Sequence, residues 1–386
     1  MSLKNRVLDN IKERRERVLR GDINSIPSPF IRFREDFVGI EKGRYYMITS
    51  PTKVGKSQIA SFLFLYTPIL YSYYNKDKAR VKVFYFPLEE TKESVMERFM
   101  CYLLYSYTNG KIRIAPKDLR STDNSKPLSE EILRVLESKE FNDIIDYFES
   151  CIVFPEGSNA TGVWKECKQY AEEHGKVHTK KKIIKDEFTG DPKEVDVFDY
   201  YEADDPDEYR IIFYDHISLI PSERGMDLRQ SMGKLSEYFV TLRNRYNYSP
   251  VVIQQQAFFE NTDAFKLDRL KPSIANLADN KATSRDINIC LSLFSPYKYE
   301  LQNHLGYDIT KLKDNIRFLE VLINRDGSQN GVIALYFDGA VNYFREMPPS
   351  KNKEEIERIY KYLENIRKPK ITLLSWVKTI INKIKQ

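Results

Sequence analysis

Short apolar runs alternate along the chain with longer stretches in which apolar residues recur at helical spacing. The apolar runs predict β-strands at Tyr45–Thr49, Val81–Phe86, Arg210–Tyr214, Pro250–Ile253, Ile287–Phe294 and Arg317–Ile323. The helical patterns predict helices at Ser57–Tyr74, Lys92–Tyr107, Leu128–Ser150, Ala160–Glu173 and Leu228–Tyr246. Strands that alternate with helices in this way favour the α/β class, with a mostly parallel central sheet and helices on both faces.

Two segments do not follow this alternation. Leu3–Arg20 carries a narrow apolar stripe beside a charged face, which predicts a helix that stands apart from the core. The highly charged segment 176–208 predicts an inserted surface hairpin about the turn at residues 189–192. Such a hairpin is either a solvated appendage or, through its aromatic residues, an element that binds a partner.

The end of the chain predicts a hairpin and a tail. Val332–Phe337 and Val341–Phe344 are joined at Asp338-Gly339, a typical antiparallel hairpin turn. Ile371–Lys385 places apolar residues at helical spacing beside lysines, and predicts a basic amphipathic helix. It packs on its own domain or docks elsewhere; a partner protein is then preferred to DNA or a membrane, because the apolar face is broad. The predicted organisation is residues 1–27 as a linker and assembly helix, 28–348 as one core domain, and 349–386 as a basic helical tail.

Composition narrows the class of protein. Apolar residues make up 41% of the 386 residues and charged residues 30%, enough to bury a core and remain in solution. The net charge of +5 is concentrated in residues 361–386, which argues against a broadly basic nucleic-acid-binding body. No stretch approaches the roughly 20 apolar residues of a membrane helix. The widely spaced cysteines predict buried thiols in a cytoplasmic protein and no zinc site; they are Cys101, Cys151, Cys167 and Cys290.

A phosphate-binding loop follows the first long strand. The sequence there is Ser50-Pro51-Thr52-Lys53-Val54-Gly55-Lys56-Ser57, and an apolar helix follows. It fits the pattern G-x-x-x-x-G-K-[ST] except that Ser50 replaces the first glycine. Backbone N–H groups and the helix N-terminus would bind phosphate oxygens, Lys56 would neutralise phosphate charge, and Ser57 would ligate Mg²⁺. The strand and helix on either side favour ATP and Mg²⁺ as ligands over a chance Gly-Lys-Ser.

Carboxylates at the ends of two other strands complete the predicted site. Asp215 ends an apolar strand, where ligands bind in open α/β sheets, and is the candidate metal ligand; a turn aspartate is the alternative. Glu89 follows the strand Val81–Phe86 and is the candidate that orients or deprotonates the attacking water. Its neighbour Glu90 is the competing choice, and either could instead cap the next helix with Thr91. Three glutamines, 254 to 256, end another strand and are either solvated or contain a γ-phosphate sensor.

These pieces, in this order, resemble one family. The motifs are the phosphate loop, "LEE" at 88–90, "YDHISLI" at 214–220, "SPVVIQQQ" at 249–256 and "NRDG" at 324–327. From about Ser28 to Met347 the chain is similar to the ATPase domain of DnaB-type hexameric replicative helicases, especially the phage branch. The resemblance implies a RecA-like core that hydrolyses ATP, and a homo-oligomeric ring, expected to be a hexamer, that translocates on single-stranded DNA in replication. The tail at 371–385 would then serve a replication partner.

The resemblance also implies roles for individual residues. Lys56 and Ser57 match the phosphate lysine and the magnesium hydroxyl, while Glu89 and Asp215 match the catalytic glutamate and the metal aspartate. Two further matches are the γ-phosphate sensor, Gln256, and the arginine finger offered to a neighbouring subunit, Arg325. Leu3–Arg20 matches the linker helix that docks on the next subunit. The central DNA-binding loops fall at Ser222–Arg229 and Ala257–Leu270, with candidate phosphate contacts Arg224, Arg229, Lys266 and Arg269.

Some features depart from the family pattern. Ile323 stands where such proteins carry a lysine two residues before the finger, so a solvated hairpin-tip arginine is the alternative for Arg325. "Glu-Glu" after the second strand also resembles recombination-mediator or clock-type RecA-like ATPases. With Ser50 and Ile323 altered, a degenerate nucleotide-binding protein with a structural role is the non-enzymatic alternative.

Overall fold

The computed structural model describes residues 2–185, 191–256, 272–277, 281–329 and 331–367. The helices are α1 (Leu3–Arg20), α2 (Lys56–Ser61), α3 (Thr67–Tyr74), α4 (Lys92–Tyr107), α5 (Pro116–Leu119), α6 (Glu130–Leu136), α7 (Lys139–Cys151), α8 (Ala160–Glu173), α9 (Leu228–Tyr246), α10 (Ile309–Leu312) and α11 (Lys353–Arg367). The strands are β1 (Ser25–Pro27), β2 (Gly39–Glu41), β3 (Tyr46–Ser50), β4 (Arg80–Pro87), β5 (Ile152–Val153), β6 (Gly175–Lys185), β7 (Pro192–Ala203), β8 (Glu208–Asp215), β9 (Ser249–Gln255), β10 (Ile289–Phe294), β11 (Asn303–His304), β12 (Tyr307–Asp308), β13 (Ile316–Asn324), β14 (Val332–Asp338) and β15 (Tyr343–Glu346). A π-helical turn at Phe62–Tyr66 joins α2 to α3, so they run as one helix after the phosphate loop.

A mostly parallel sheet forms the centre of the fold. Within the described residues it has nine strands in the order β15-β14-β13-β10-β3-β9-β8-β4-β5. Strands β10, β3, β9, β8, β4 and β5 pair in parallel, whereas β13, β14 and β15 pair antiparallel. The predicted α/β class with a terminal hairpin is therefore confirmed. Because the parallel strands share one carboxyl edge, the loops after β3, β4, β8 and β9 meet there.

Helices cover both faces of this sheet. On one face α2, α3, α4 and α7 pack on side chains such as Ile48 and Val83, and on the other α8 and α9 pack on Met47 and Ile212. Since successive side chains of a strand point to opposite faces, Met47 and Ile48 enter different clusters. Burial on both faces explains why the strands read as continuous apolar runs rather than as alternating ones.

The predicted single helix at 128–150 is wrong, because the chain breaks between α6 and α7. Ser138 Oγ donates to the carbonyl of Val135 at 2.7 Å, and Asn142 Nδ2 donates to the carbonyl of Leu136 at 2.9 Å. These side chains satisfy the last carbonyls of α6 in place of a continuing helix. Ser138, with extended backbone angles, then becomes the N-cap residue of α7.

The appendages attach to the core in different ways. Helix α1 buries none of its residues, and β6 with β7 forms an antiparallel two-stranded hairpin outside the central sheet. Helix α11 buries Ile356, Tyr360 and Leu363 in a cluster with strand residues such as Phe318. The candidate tail helix at 371–385 lies outside the described residues. No helix among those described is long and apolar enough to cross a membrane, and the four cysteines are free and buried.

Candidate active site

A cavity of about 680 Å³ opens at the carboxyl edge of the sheet, over the loop that follows β3. The loop residues from Pro51 to Ser57 form its floor, apart from the buried Val54. Glu89 and Gln255 enter it from the ends of β4 and β9, and the turn at Gly339 closes it from the terminal hairpin. The predicted loop, a carboxylate and a glutamine thus share one cavity at the edge where ligands bind in such sheets.

The loop turns into α2 at a residue that must be glycine. Gly55 is the N-cap of α2 and has φ +103°, a left-handed conformation that side chains rarely adopt. A Cβ there would also lie 3.3 Å from the ring of Phe337 and 3.4 Å from Oε1 of Gln58. The helix then begins at Lys56, so its first N–H groups border the cavity, as anion binding at a helix N-terminus requires.

The other unusual position, Ser50, needs no glycine. It is the last residue of β3 and pairs with Gln255 of β9, so its backbone is extended. Its carbonyl accepts from the backbone N–H of Gln256 at 2.9 Å, and its hydroxyl donates to the carbonyl of Pro51 at 2.8 Å. The replacement of the first glycine of the motif is therefore compatible with this loop geometry.

The terminal hairpin and its preceding strand hold the loop from behind. Arg317 of β13, only 2% exposed, donates from Nε to the carbonyl of Val54 at 2.6 Å and lies 4.4 Å from the ring centroid of Phe337. Lys298 donates to the carbonyl of Thr52, and Gln58 Nε2 donates to the carbonyl of Gly339 at 2.8 Å. Burial lowers the pKa of Arg317, with Asp314 opposing that shift. The sequence analysis missed this support; an arginine inside an apolar strand was its available signal.

Asp215 and Ser57 present oxygen atoms to each other beside the loop. Ser57 Oγ donates to Asp215 Oδ1 at 3.2 Å, and Asp215 is 3% exposed. A hydroxyl and a carboxylate at this separation suit Mg²⁺, a hard cation that takes oxygen ligands in a compact octahedron. The residues present therefore fit the metal that the sequence analysis expected here.

Burial dominates the electrostatics of these groups. It raises the pKa of Asp215 to about 7, although Lys56 and Ser57 favour the charged form. Burial likewise lowers the pKa of Lys56, against the attraction of Asp215 and Glu89. Because the folded pKa of Asp215 exceeds the ordinary aspartate value of about 4, its contribution to stability is present at low pH and is lost as pH rises towards 7. A cation at this carboxylate would offset that cost.

The two glutamates after β4 have different surroundings. The Glu89 side chain is half exposed in the cavity, and its Oε1 lies 3.0 Å from Nε2 of His216. Glu90 is instead held away from the cavity by the hydroxyl of Tyr85 at 3.2 Å and by Arg98 at 3.1 Å. Burial raises the pKa of Glu90, and Arg98 opposes the shift. Neither glutamate caps α4, since Thr91 is its N-cap residue.

The three glutamines after β9 also separate. Gln254 Oε1 accepts from Thr283 Oγ1 at 2.8 Å, and Gln256 Nε2 donates to Ser292 Oγ at 3.2 Å; both glutamines are fully buried. Gln255 lies between them and lines the cavity, as the alternation of side chains along a strand requires. The placement therefore corrects the expectation for Gln256: the glutamine that faces the nucleotide cavity is Gln255.

Arg325 lies at the opposite edge of the sheet from this cavity. Ile289 of β10 pairs with both Asn324 of β13 and Tyr46 of β3, so Arg325 lies beside the amino end of β3. The loop follows the carboxyl end of β3, at least about 13 Å further along the strand direction. Arg325 Nε donates to the carbonyl of Ile287 at 2.7 Å. This arginine therefore cannot serve the cavity of its own chain.

The candidate DNA-contacting residues are only partly covered by the structure. Arg224 and Arg229 are exposed, in the loop before α9 and in its first turn. Glu223 beside them pairs with Lys234 and accepts from the backbone N–H of Thr161 at 2.7 Å, which ties this loop to α8 and α9. Lys266 and Arg269 lie outside the described residues.

Comparison with solved structures identifies the fold. The chain is similar to the solved ATPase domain of a DnaB-like replicative helicase with a TM-score of 0.59 and 15% identity, over 90% of this chain and 99% of that one. It is also similar to "The Structure Of A DnaB-Like Replicative Helicase And Its Interactions With Primase" with a TM-score of 0.59 and 14% identity, over 90% of this chain and 67% of that one. No family model and no curated protein matches the chain. The predicted RecA-like core, of the kind found in DnaB-like ATPase domains, is thus confirmed at the level of fold.

Proposed function

We propose that this protein is an ATP-dependent, ring-forming helicase or translocase that acts on single-stranded DNA in replication. One observation carries the proposal: Lys56, Ser57, Glu89 and Asp215 come from three separate loops and converge on one cavity at the carboxyl edge of a RecA-like sheet. A chance Gly-Lys-Ser would not be accompanied by a buried carboxylate and a half-exposed one in the positions that nucleotide hydrolysis needs.

Each residue has a distinct role in this proposal. The N–H groups at the start of α2 and the ammonium of Lys56 hold the phosphate oxygens of ATP. Ser57 and Asp215 hold Mg²⁺, which neutralises phosphate charge when bound. Glu89 orients the attacking water from the open side of the cavity. Gln255, rather than Gln256, is the glutamine placed to hydrogen-bond the γ-phosphate.

The assembly follows from residues that have no use within one chain. Arg325 lies at the far edge of the sheet, so its role as an arginine finger requires the cavity of a neighbouring copy. The apolar stripe of α1 is exposed, with Leu3 at 71% and Val18 at 61%, and a second copy would cover it. We therefore propose a homo-oligomeric ring, expected to be a hexamer, in which α1 docks on the adjacent subunit.

DNA and partner contacts are assigned by position. Arg224 and Arg229 are proposed to contact DNA phosphates from the loop before α9, together with Lys266 and Arg269. A replication protein is the proposed partner of residues 371–385, and the cytoplasm is the proposed location. DNA binding of this kind should weaken steeply with salt, because each neutralised phosphate releases counterions.

The test is ATP hydrolysis with Mg²⁺, measured with and without single-stranded DNA. We expect DNA to stimulate hydrolysis, Lys56→Ala to abolish it while leaving the circular dichroism spectrum unchanged, and Glu89→Gln to bind nucleotide without turning it over. Glu90→Gln is the matched control, since Glu90 is held by Tyr85 and Arg98 away from the cavity. Hydrolysis that ignores DNA would favour another RecA-like ATPase, and nucleotide binding without hydrolysis would favour a structural role.

A further inference from the structure

The inserted hairpin of β6 and β7 contains an irregularity that decides which of its side chains face the body. Its register shifts at Asp199, an extra residue of β7 that has no partner on β6. A β-bulge of this kind breaks the alternation of a strand and re-aims its side chains. As a result Phe198 and Tyr201, three positions apart, both pack against Tyr246 of α9, with ring centroids 6.1 and 5.3 Å away.

The two residues between them, Asp199 and Tyr200, face the N-terminal helix instead. Arg6 Nη1 of α1 lies 3.6 Å from Asp199 Oδ1, and its guanidinium lies 5.7 Å from the ring centroid of Tyr200. Tyr200 stacks on His178 of β6 at 4.2 Å, and Lys180 Nζ lies 2.9 Å from Asp199 Oδ1. The hairpin therefore orders both side chains that receive Arg6.

A second attachment holds the other end of α1. Arg17 forms an ion pair with Asp207, just beyond the hairpin, and donates to the carbonyl of Ile23 at 3.0 Å. Asn24 Nδ2 donates to the carbonyl of Arg14 at 2.9 Å. Arg6 and Arg17 lie about three helical turns apart, so they project from one side of α1. The helix is thus tied to its own chain at both ends, through its polar side.

This polar attachment leaves the apolar stripe of α1 uncovered. Leu3, Ile11 and Val18 are 71%, 58% and 61% exposed. At about 100° per residue the stripe is turned roughly 100° around the helix from Arg6 and Arg17. An amphipathic helix ordinarily buries its apolar side, and here the charged side is the one that is attached.

We propose that the inserted hairpin is a bracket for α1: its bulge aims Asp199 and Tyr200 at Arg6 and fixes the helix on its own chain, with the apolar stripe turned towards a second copy. The use of the stripe rests on the proposed ring, whereas the bracket itself is a contact within one chain. The insert therefore serves the helix of the same polypeptide rather than a foreign protein.

The test is hydrogen exchange of the amides of residues 3–20 in the full chain, with a charge reversal. We expect Asp199→Arg and Arg6→Asp each to speed exchange of α1 by roughly fivefold, since a half-exposed ion pair changes the population of the attached state by about this factor. Combining both changes in one chain should restore protection. Glu194→Arg is the matched control, because Glu194 pairs with Lys181 at 2.8 Å on the same hairpin without any contact to α1.

A mixture of the two single variants decides between one chain and two. No recovery of protection in the mixture supports the bracket, whereas recovery would mean that the contact forms between copies and would overturn it. Unchanged exchange in Asp199→Arg would overturn it as well. ATP hydrolysis by the same samples reports on the proposed function separately, because a protein without ATPase activity would still show the exchange pattern of a bracket.

Discussion

His216 is expected to set the rate of ATP hydrolysis by holding Glu89. Its Nε2 lies 3.0 Å from Glu89 Oε1, and His216 is 8% exposed whereas the Glu89 side chain is 50% exposed. The imidazole is therefore the fixed partner, and the carboxylate is the group that needs orientation. The change His216→Phe keeps the ring volume but removes the hydrogen bond.

The size of the effect follows from this geometry. A hydrogen bond to a charged group contributes about 1.5–3 kcal/mol, and the exposure of Glu89 places this one at the lower end. A loss of about 1.4 kcal/mol in the transition state corresponds to about a tenfold fall in kcat. The KM for ATP should stay the same, because the loop, Lys56 and Ser57 are untouched.

The assay is steady-state ATP hydrolysis with saturating single-stranded DNA. His216→Gln, which keeps a donor, should recover part of the lost rate. In a Glu89→Gln background His216→Phe should cost nothing further, because residues that act as a unit are not additive. An equal loss in both backgrounds, or a raised KM with an unchanged kcat, would show that His216 acts elsewhere and would refute the reasoning.

Three further predictions concern the metal carboxylate, the finger and the assembly helix. Asp215→Asn should raise the Tm of the nucleotide-free protein at pH 8 by roughly 2–5 °C in calorimetry, since the buried carboxylate is ionised above its pKa of about 7, while abolishing hydrolysis; a gain as large at pH 5 would contradict this cause. Mixing Arg325→Ala with Lys56→Ala subunits should restore some ATPase activity, since one interface regains both residues, and no recovery in confirmed mixed assemblies would count against a finger in trans. Deleting residues 1–20 should shift sedimentation from ring to monomer, and rings that persist with ATP would give α1 another role.

The sequence was sufficient for the sheet and for the main line of the site. Strands buried on both faces are continuous apolar runs, so β3, β4, β8 and β9 could be located to within about two residues. Their carboxyl ends share one edge, which is why Ser57, Glu89 and Asp215 could be grouped without coordinates. These inferences depend only on local pattern and on the geometry of parallel strands.

The parts that escaped prediction depend on distant contacts or on phase. Which glutamine faces the cavity is decided by one residue of strand register, so Gln255 and Gln256 could not be told apart from composition. The support of the loop by Arg317 joins residues 263 positions apart in the chain. The bulge at Asp199 shifts side chains without any glycine or proline to mark it. Each of these features is set by packing, which overrides local preference.

Strand β13 connects the two edges of the sheet that the proposed ring would use. Arg317, near its amino end, holds the phosphate loop through the carbonyl of Val54, and Arg325 follows its carboxyl end at the opposite edge. The strand is hydrogen-bonded on both sides, to β10 and β14, so it has little freedom to bend. A shift of the loop on nucleotide binding therefore has a short and rigid path to the arginine offered to the neighbouring copy. The same strand explains why the loop and the finger can be coupled although they lie too far apart to share one cavity.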